Sequence, residues 1–412
     1  MTVILAALAI AGGAAQGDPL AKARSLHKQV PLIDGHNDYP WALRGIDPAR
    51  DFSKADISGR VPQLHTDIER LRQGGLGGQF WSVYVPSTLQ GREAVRATLE
   101  QIDVVHRMMR QWPQMFATAR TAAEVERVFK GGRIASMMGM EGGHSIDSSL
   151  ATLRMMHALG VGYMTLTHNN NTPWADSAAD KPVLGGLSKF GEEVVREMNW
   201  LGMLVDLSHV SPDTMEDAIR VSEAPVIFSH SSARALCNVP RNVPDNILQM
   251  LPKNGGVVMI TFVPGFISQA IADHAARQTE AQQAQRAQFP NNDAYVAAAM
   301  ERWRSENPEP RATLSQVADH IDHVRKVAGI DHIGLGGDFD GITTVVQGLE
   351  DVSKYPDLTA ELLRRGYSDQ DIKKILGLNI LRVMRAAEQV SATLRKKRGP
   401  STATIEQLDG RP

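Results

Sequence analysis

The chain has 412 residues, of which 42% are hydrophobic, so it can form one large domain or two medium ones. Its 44 Lys and Arg residues nearly balance 46 Asp and Glu residues, which argues against a nucleic-acid-binding surface and favours a small neutral or zwitterionic ligand. The single cysteine, Cys237, excludes an intramolecular disulfide and a thiolate zinc cluster. Any metal site must therefore use His, Asp and Glu.

The two ends of the chain differ from the region between them. Val3–Ala15 is apolar, but its thirteen residues are fewer than the ~20 needed to span a bilayer. Small residues at Gly13 and Ala15 suit cleavage, so residues 1–20 are interpreted as a possible signal peptide. Export to the periplasm or medium is then expected, and a cytoplasmic location otherwise. Residues 391–412 are polar, so we expect a disordered tail without a membrane anchor.

Residues 21–390 alternate between apolar runs and amphipathic segments. Five of these segments have the apolar spacing of surface helices, namely Glu93–Arg110, Ser148–Leu159, Leu187–Leu201, Pro212–Val221 and Leu314–Ala328. The eight runs that predict strands are Leu32–Asp38, Leu76–Pro86, Ile134–Gly143, Met164–Asn170, Leu204–His209, Pro225–Ser231, Gly256–Pro264 and His332–Gly341. This alternation predicts an α/β fold, a (β/α)8 TIM barrel.

One long segment interrupts the alternation. Phe266 to Ala312, between the seventh and eighth runs, is rich in Ala, Gln and Arg and predicts one or two helices. It is either a solvated decoration or a lid or subunit contact, since it follows the end of a strand where barrel active sites lie. After the eighth run, Ala360–Arg365 and Asp369–Gln389 predict closing helices.

Nearly every predicted strand ends in a polar side chain, and in a barrel these ends converge on one face. The first run ends in "IDGHND", which puts His36 and Asp38 on the same side of an extended strand. Such a pair in isolation is more often structural than metal-binding. Glu141 ends the third run between apolar residues and glycines, and a carboxylate buried there needs a partner, either a salt bridge or metal ions.

Two histidines end successive strands, His209 in "DLSHVS" and His230 in "SHSSARA". Together with the residues above they form a donor set suited to two zinc ions bridged by the Glu: His36, Asp38, Glu141, His209 and His230. Two such ions would hold a bridging water or hydroxide, lower the pKa of the water and polarise a scissile carbonyl. No GxSxG elbow indicates a serine nucleophile.

Three further residues are candidates for substrate chemistry. Asp338 in "GLGGDFDG" follows the last strand and suits proton transfer, whereas Asp340 fits a helix cap equally well. His168 in "LTHNNNTPWADS" is either another ligand or a donor to the oxyanion. Arg241 lies in "NVPRNVPD" between two Val-Pro pairs, where it either binds a carboxylate or is a surface arginine.

From about Pro31 to about Arg385 the sequence resembles the membrane dipeptidase (renal dipeptidase) family, peptidase family M19, in its bacterial branch. The resemblance rests on seven segments in family order: "DGHND", "EGGHS", "THNNNTPWADS", "DLSHVS", "SHSSARA", "VPRNVPDN" and "GGDFDG". It implies an amidohydrolase-like, metal-dependent barrel. His36, Asp38 and Glu141 would bind one zinc ion, and Glu141, His209 and His230 the other.

The resemblance also implies roles for the remaining candidates and a substrate. His168 would steady the tetrahedral intermediate, Arg241 would bind the terminal carboxylate, and Asp338 would meet the free amine and transfer the proton. Family members hydrolyse dipeptides, often with a D-residue at the C-terminal position, and are usually homodimers. The lack of cysteine pairs and of a hydrophobic C-terminal tail makes a disulfide-linked, lipid-anchored form implausible here.

Two other functions compete with this one. The same barrel and metals could act on a lactone, a phosphotriester or a nucleobase. These neutral compounds have no carboxylate for Arg241 to bind, so a carboxylate-binding Arg241 argues against them. A metal-stabilised binding protein without catalysis would need neither Asp338 nor His168. Both residues therefore favour a binuclear zinc dipeptidase.

Overall fold

The computed structural model describes residues 18–410; the predicted signal peptide lies almost wholly outside them. Nine parallel strands form its sheet, and each lies within or close to an apolar stretch. They are β1 (Leu32–Asn37), β2 (Leu76–Ser82), β3 (Phe116–Thr118), β4 (Ile134–Glu141), β5 (Val161–Thr165), β6 (Leu204–Asp206), β7 (Ile227–Ser231), β8 (Val257–Ile260) and β9 (Ile333–Leu335).

Eight of these strands close into a barrel in the order β1-β2-β4-β5-β6-β7-β8-β9, with β9 returning to β1. The predicted (β/α)8 fold is confirmed, because each of the eight apolar runs contains or overlaps one of these strands. Strand β5, the fourth strand of the barrel, begins at Val161, three residues before the predicted start at Met164. Strand β3 lies outside the eight predicted runs, and among the described strands it pairs with the first residues of β4.

Helices surround the barrel and close its lower end. They are α1 (Pro19–His27), α2 (Tyr39–Ile46), α3 (Ile68–Gly74), α4 (Gly91–Gln111), α5 (Ala122–Lys130), α6 (Leu150–Ala158), α7 (Lys189–Leu201), α8 (Pro212–Val221), α9 (Asp245–Leu248), α10 (Leu251–Asn254), α11 (Pro264–Ile267), α12 (Gln269–Gln288), α13 (Asp293–Glu306), α14 (Leu314–Val327), α15 (Tyr355–Arg364), α16 (Asp369–Lys373), α17 (Asn379–Lys397) and α18 (Ile405–Asp409). A π-helical segment, Lys374–Leu378, joins α16 to α17.

The apolar core has two layers. Inward-facing strand residues such as Ile33, Phe80 and Met259 form one buried cluster with residues of α17, including Ile380 and Met384. The larger cluster lies between the strands and the outer helices. Because the strands are covered on both faces, every residue of β1, β2 and β4 is buried, rather than every second one. The lower end is thereby sealed, and the open end is the one where the strands terminate.

The expectation of a disordered C-terminal tail is wrong. Helix α17 continues to Lys397, and the chain then packs against α7 before forming α18. The Nε1–H of Trp200 donates to the Arg398 carbonyl at 3.0 Å, and the Ser401 amide donates to the buried Glu197 carboxylate at 3.0 Å. The segment is ordered because α7 provides buried partners for its backbone, which composition does not reveal.

The segment between β8 and α14 is a helical insertion, as predicted. Its two long helices, α12 and α13, pack on each other and bury few side chains, among them Ile271 and Met300. The short helix α11 precedes them directly after β8. None of the helices within residues 18–410 is both long and apolar enough to cross a membrane.

Candidate active site

A cavity of about 470 Å³ opens at the end of the barrel where the strands terminate. The predicted site residues that line it are Asp38, Glu141, His168, His209, His230, Arg241 and Asp338. The eighth, His36, lies directly beneath them with no exposed surface. All eight predicted residues therefore meet in one place, because each lies in the last residues of a strand or in the loop that follows it, and the strand ends converge.

Glu141, the last residue of β4, lies at the centre of the site. Its Oε2 is 3.5 Å from Nε2 of His36, whereas its Oε1 is 2.9 Å from Nε2 of His209 and 3.4 Å from Nε2 of His230. Burial opposes ionisation, but His36 and His168 lower the pKa of Glu141 well below its usual value. The carboxylate is therefore an anion that presents one oxygen to each side of the site.

The first strand supplies the donors on the Oε2 side. Nε2 of His36 is 3.2 Å from Oδ2 of Asp38, yet it has no hydrogen-bond partner among the described residues, and neither has Oδ1 of Asp38. Burial opposes a positive charge on His36, but Tyr163, Asp38 and Glu141 raise its pKa well above the usual value. The surroundings thus favour added positive charge at this nitrogen, which a bound cation would supply.

The Oε1 side holds two imidazoles whose Nε2 atoms are 3.0 Å apart. Burial lowers the pKa of His230 to about 3 and that of His209 well below its usual value. Both rings are therefore neutral, with a free lone pair on a ring nitrogen. Two neutral imidazole nitrogens 3.0 Å apart beside a carboxylate suit the ligands of a metal ion.

A hydrogen-bond chain fixes the orientation of His230. The Ser229 hydroxyl donates to the buried Asp206 carboxylate at 2.6 Å and lies 2.8 Å from Nδ1 of His230. Since that hydroxyl hydrogen is used, Nδ1–H of His230 is the donor to Ser229, which leaves Nε2 unprotonated toward the cavity. Such support of a ligand histidine is typical of metal sites.

Donor atoms form three overlapping groups whose members lie within 4.8 Å of one another. They are His36, Glu141 and His230; Glu141, His168 and His209; and His36, Asp38 and Asp338. The residues present therefore fit metal ions held by nitrogen and oxygen ligands. The overlap at His36 and Glu141 joins the groups into one centre.

Asp338 follows β9 in the left-handed conformation, with φ of 60°. Its amide donates to the His36 carbonyl at 3.1 Å, which fixes the carboxyl group over the first strand. Burial raises the pKa of Asp338 well above its usual value; the neighbouring Asp38 and Glu141 add to the effect and His36 opposes it. A carboxyl group with a raised pKa beside candidate metal ligands suits proton transfer.

His168 and Arg241 lie above the ligands. Nε2 of His168 is 3.7 Å from Oε1 of Glu141, and the Ser177 hydroxyl donates to the His168 carbonyl at 2.6 Å. The Arg241 side chain is only 8% exposed, and its Nη1 has no hydrogen-bond partner in the described chain. Burial lowers its pKa to about 10, so the group stays charged at neutral pH. A buried guanidinium with a free edge toward a cavity indicates an anionic ligand.

Comparison with known proteins identifies the family and agrees with the fold. The sequence model of the family "Membrane dipeptidase (Peptidase family M19)" matches residues 20–398. The chain belongs to peptidase family M19, the membrane dipeptidases. Among curated relatives, "Dipeptidase verJ" of Clonostachys rogersoniana is 43% identical over 390 residues, covering 92% of this chain and 90% of its own.

Solved structures agree with that assignment. The probable dipeptidase PvdM from Pseudomonas aeruginosa superposes with a TM-score of 0.77 at 26% identity, covering 90% of this chain and 99% of its own. A metallo peptidase from Rhodobacter sphaeroides, liganded with a phosphinate mimic of the dipeptide L-Ala-D-Ala, has a TM-score of 0.71 at 25% identity and covers 87% and 99%. The protein is thus a dipeptidase of the M19 metallopeptidase family, while its placement in a bacterial branch stays a prediction.

Several residues that line this M19 dipeptidase site were not predicted from the sequence. Trp41 and Tyr84 line the cavity and pack edge to face at 5.2 Å, and Phe266 faces Arg241. Asp340 accepts a hydrogen bond from the His65 amide at 2.6 Å, so it anchors a loop rather than capping a helix. These three aromatic residues lie shortly after strands β1, β2 and β8. Their position after strand ends is the sequence feature that could have predicted their place in the cavity.

Proposed function

We propose that this M19 enzyme hydrolyses the peptide bond of free dipeptides at a centre of two zinc ions bridged by Glu141. The observation that carries the proposal is the Glu141 carboxylate, with one oxygen toward His36 and the other toward His209 and His230. A cavity of about 470 Å³ is within the range of small-molecule sites and has room for a dipeptide.

The donor set supports zinc. On the first-strand side His36, Asp38 and one Glu141 oxygen would hold an ion, and His209, His230 and the other oxygen would hold the second. When bound, such ions activate water as the nucleophile and polarise the scissile carbonyl. The buried, unpartnered Nε2 of His36 and Oδ1 of Asp38 support this assignment, since each lacks a protein partner in the described chain.

The remaining residues bind and orient the two ends of the substrate. The Arg241 guanidinium would form paired hydrogen bonds with the terminal carboxylate. Asp338 would accept a hydrogen bond from the free amine and pass a proton to the leaving nitrogen, consistent with its raised pKa. His168 would donate a hydrogen bond to the oxygen of the tetrahedral intermediate, because it lies beside Glu141 at the cavity wall.

Three further features belong to the proposal. Acceptance of L-D dipeptides is supported by the Rhodobacter sphaeroides relative, whose ligand mimics L-Ala-D-Ala. A homodimer and export of the chain rest on the family resemblance and on the apolar residues 3–15. Light scattering of the purified protein tests the dimer, and N-terminal sequencing of the protein recovered outside the cytoplasm tests export.

The decisive experiment is a panel of L-L and L-D dipeptides, each with N-acetylated and C-amidated controls, assayed before and after chelation. Free dipeptides should be cleaved and both blocked controls should fail. Chelation should abolish turnover and zinc should restore it. Equal cleavage of amidated and free dipeptides would disprove the role of Arg241, and full activity of metal-free protein would disprove the zinc centre.

A further inference from the structure

Arg241 lies in the irregular loop between β7 and α9, so no strand or long helix fixes its side chain. The guanidinium carbon is 5.2 Å from the ring centroid of Phe266, within the range of a cation–π contact. Phe266 belongs to α11, the short helix at the start of the insertion. An aromatic face beside a guanidinium restricts the plane in which its N–H groups point.

The backbone of the same loop is also bonded to the start of the insertion. The Asn242 side chain is fully buried, and its Nδ2 donates to the carbonyls of Cys237 at 2.9 Å and Phe266 at 2.8 Å. The Asn238 amide donates to Oε1 of Gln269 at 2.6 Å. Asn242 directly follows Arg241 in the chain. Its side chain is therefore a link from this loop to the backbone of Phe266, the residue whose ring faces Arg241.

We propose that Phe266 and Asn242 are positioning residues that hold Arg241 in the orientation needed for the substrate carboxylate. The inference rests on the proposed function of Arg241 and extends it to the insertion. Phe266 sets the plane of the guanidinium and Asn242 sets the distance between the two segments. The start of the insertion thus determines how strongly the enzyme prefers a free C-terminal carboxylate to an amide.

The test replaces the ring without adding charge. Phe266→Leu should raise KM for free dipeptides about 3- to 10-fold and leave kcat within about 2-fold, because a lost cation–π contact weakens binding of the carboxylate in ground and transition states alike. Turnover of C-amidated dipeptides, measured with enough enzyme to detect it, should not change. The preference for the free carboxylate, expressed as a ratio of kcat/KM values, should fall by the same factor.

Three further variants complete the design. Phe266→Tyr keeps the aromatic face and should restore the wild-type KM. Phe289→Leu makes the same substitution in the insertion, where the ring packs on Tyr295 instead, and should leave both kinetic constants unchanged. Asn242→Ala should raise KM in the same direction as Phe266→Leu, with thermal unfolding confirming that the variant is folded.

The outcomes separate this inference from the proposed function. If Arg241→Met leaves the preference for a free carboxylate intact, the role of Arg241 is wrong and the inference is wrong with it. If Arg241→Met abolishes the preference but Phe266→Leu and Asn242→Ala retain it, only the inference is overturned. Equal losses on free and amidated substrates in Phe266→Leu would also overturn it, since Phe266 would then be a general wall of the cavity.

Discussion

The Tyr163 hydroxyl lies 2.8 Å from Nδ1 of His36 and donates its own hydrogen to the Gly35 carbonyl at 3.0 Å. Because the hydroxyl has only one hydrogen, the His36 ring must donate Nδ1–H to Tyr163. The other ring nitrogen, Nε2, is then the one left for a metal ion, and it faces Asp38 and Glu141. Tyr163, a residue of β5, thus determines which nitrogen of a residue in β1 is available to a metal.

Removing this hydroxyl should weaken metal binding without unfolding the protein. In Tyr163→Phe, His36 loses the acceptor that fixes its tautomer, and zinc affinity should fall about 10- to 100-fold. Competition with a chromophoric chelator measures the change. Tyr39→Phe removes a buried hydroxyl bonded to the Ala55 carbonyl and should bind zinc as the wild type does. Equal affinity in the Tyr163 and Tyr39 variants would argue against the assignment.

Glu141→Gln should lose metal from both sides of the centre. A neutral amide replaces the carboxylate that faces His36 with one oxygen and His209 with the other, and its NH₂ group cannot bind a cation. After dialysis the variant should retain less than about one zinc per chain, measured by elemental analysis. Glu301→Gln, at an exposed position on α13, is the matched control and should keep its metal. A fully loaded Glu141 variant would contradict a bridging role.

Asp338→Asn should slow the reaction while keeping the metal. The amide occupies the same space, but it cannot carry a proton between the nucleophile and the leaving amine, so kcat should fall about 100- to 10,000-fold. Zinc content and melting temperature should remain close to those of the wild type. Loss of metal in step with activity would instead make Asp338 a ligand, which its Oδ1 at 4.0 Å from Nε2 of His36 permits.

His320 should make stability depend on pH. Its Nδ1 accepts the Ala233 amide hydrogen at 3.1 Å and its Nε2 donates to the Ile267 carbonyl at 3.0 Å, so the buried ring is neutral. Burial lowers its pKa to about 4, below the value of about 6.5 in the unfolded chain. The stability it contributes is therefore complete above pH ~6.5 and is lost as pH falls toward ~4.

The comparison uses His320→Gln, which can accept and donate at the same two sites but does not titrate. From pH 7 to pH 5 the wild type should lose about 2 kcal/mol more unfolding free energy than the variant. Urea unfolding at the two pH values, with zinc present in both proteins, gives this difference. Parallel losses would show that His320 is not the titrating group.

The sequence made the barrel and the meeting of the site residues predictable. Apolar runs at regular intervals determine strands, and a polar residue directly after a strand must lie at the open end of a parallel barrel. His36, Glu141 and His230 could therefore be placed together although they are far apart in the chain. The distances of 3.5 Å and 3.4 Å that join them through Glu141 agree with that expectation.

Contacts between distant segments were not predictable in this way. Tyr163 lies 127 residues from His36, and Asn242 lies 24 residues from Phe266 across a β-strand. Neither residue has a composition or spacing that distinguishes it from a core aromatic or a loop asparagine. The ordered segment after α17 was mispredicted for the same reason, since its partners Glu197 and Trp200 belong to α7.

By itself the sequence determined the eight strands of the barrel and the donor residues at their ends, because apolar runs and strand ends are local properties of the chain. Only the tertiary structure decided which imidazole nitrogen faces the cavity, which ring faces Arg241 and where the C-terminal segment binds. These depend on hydrogen bonds and packing between segments that come together only when the barrel closes, so no local pattern encodes them.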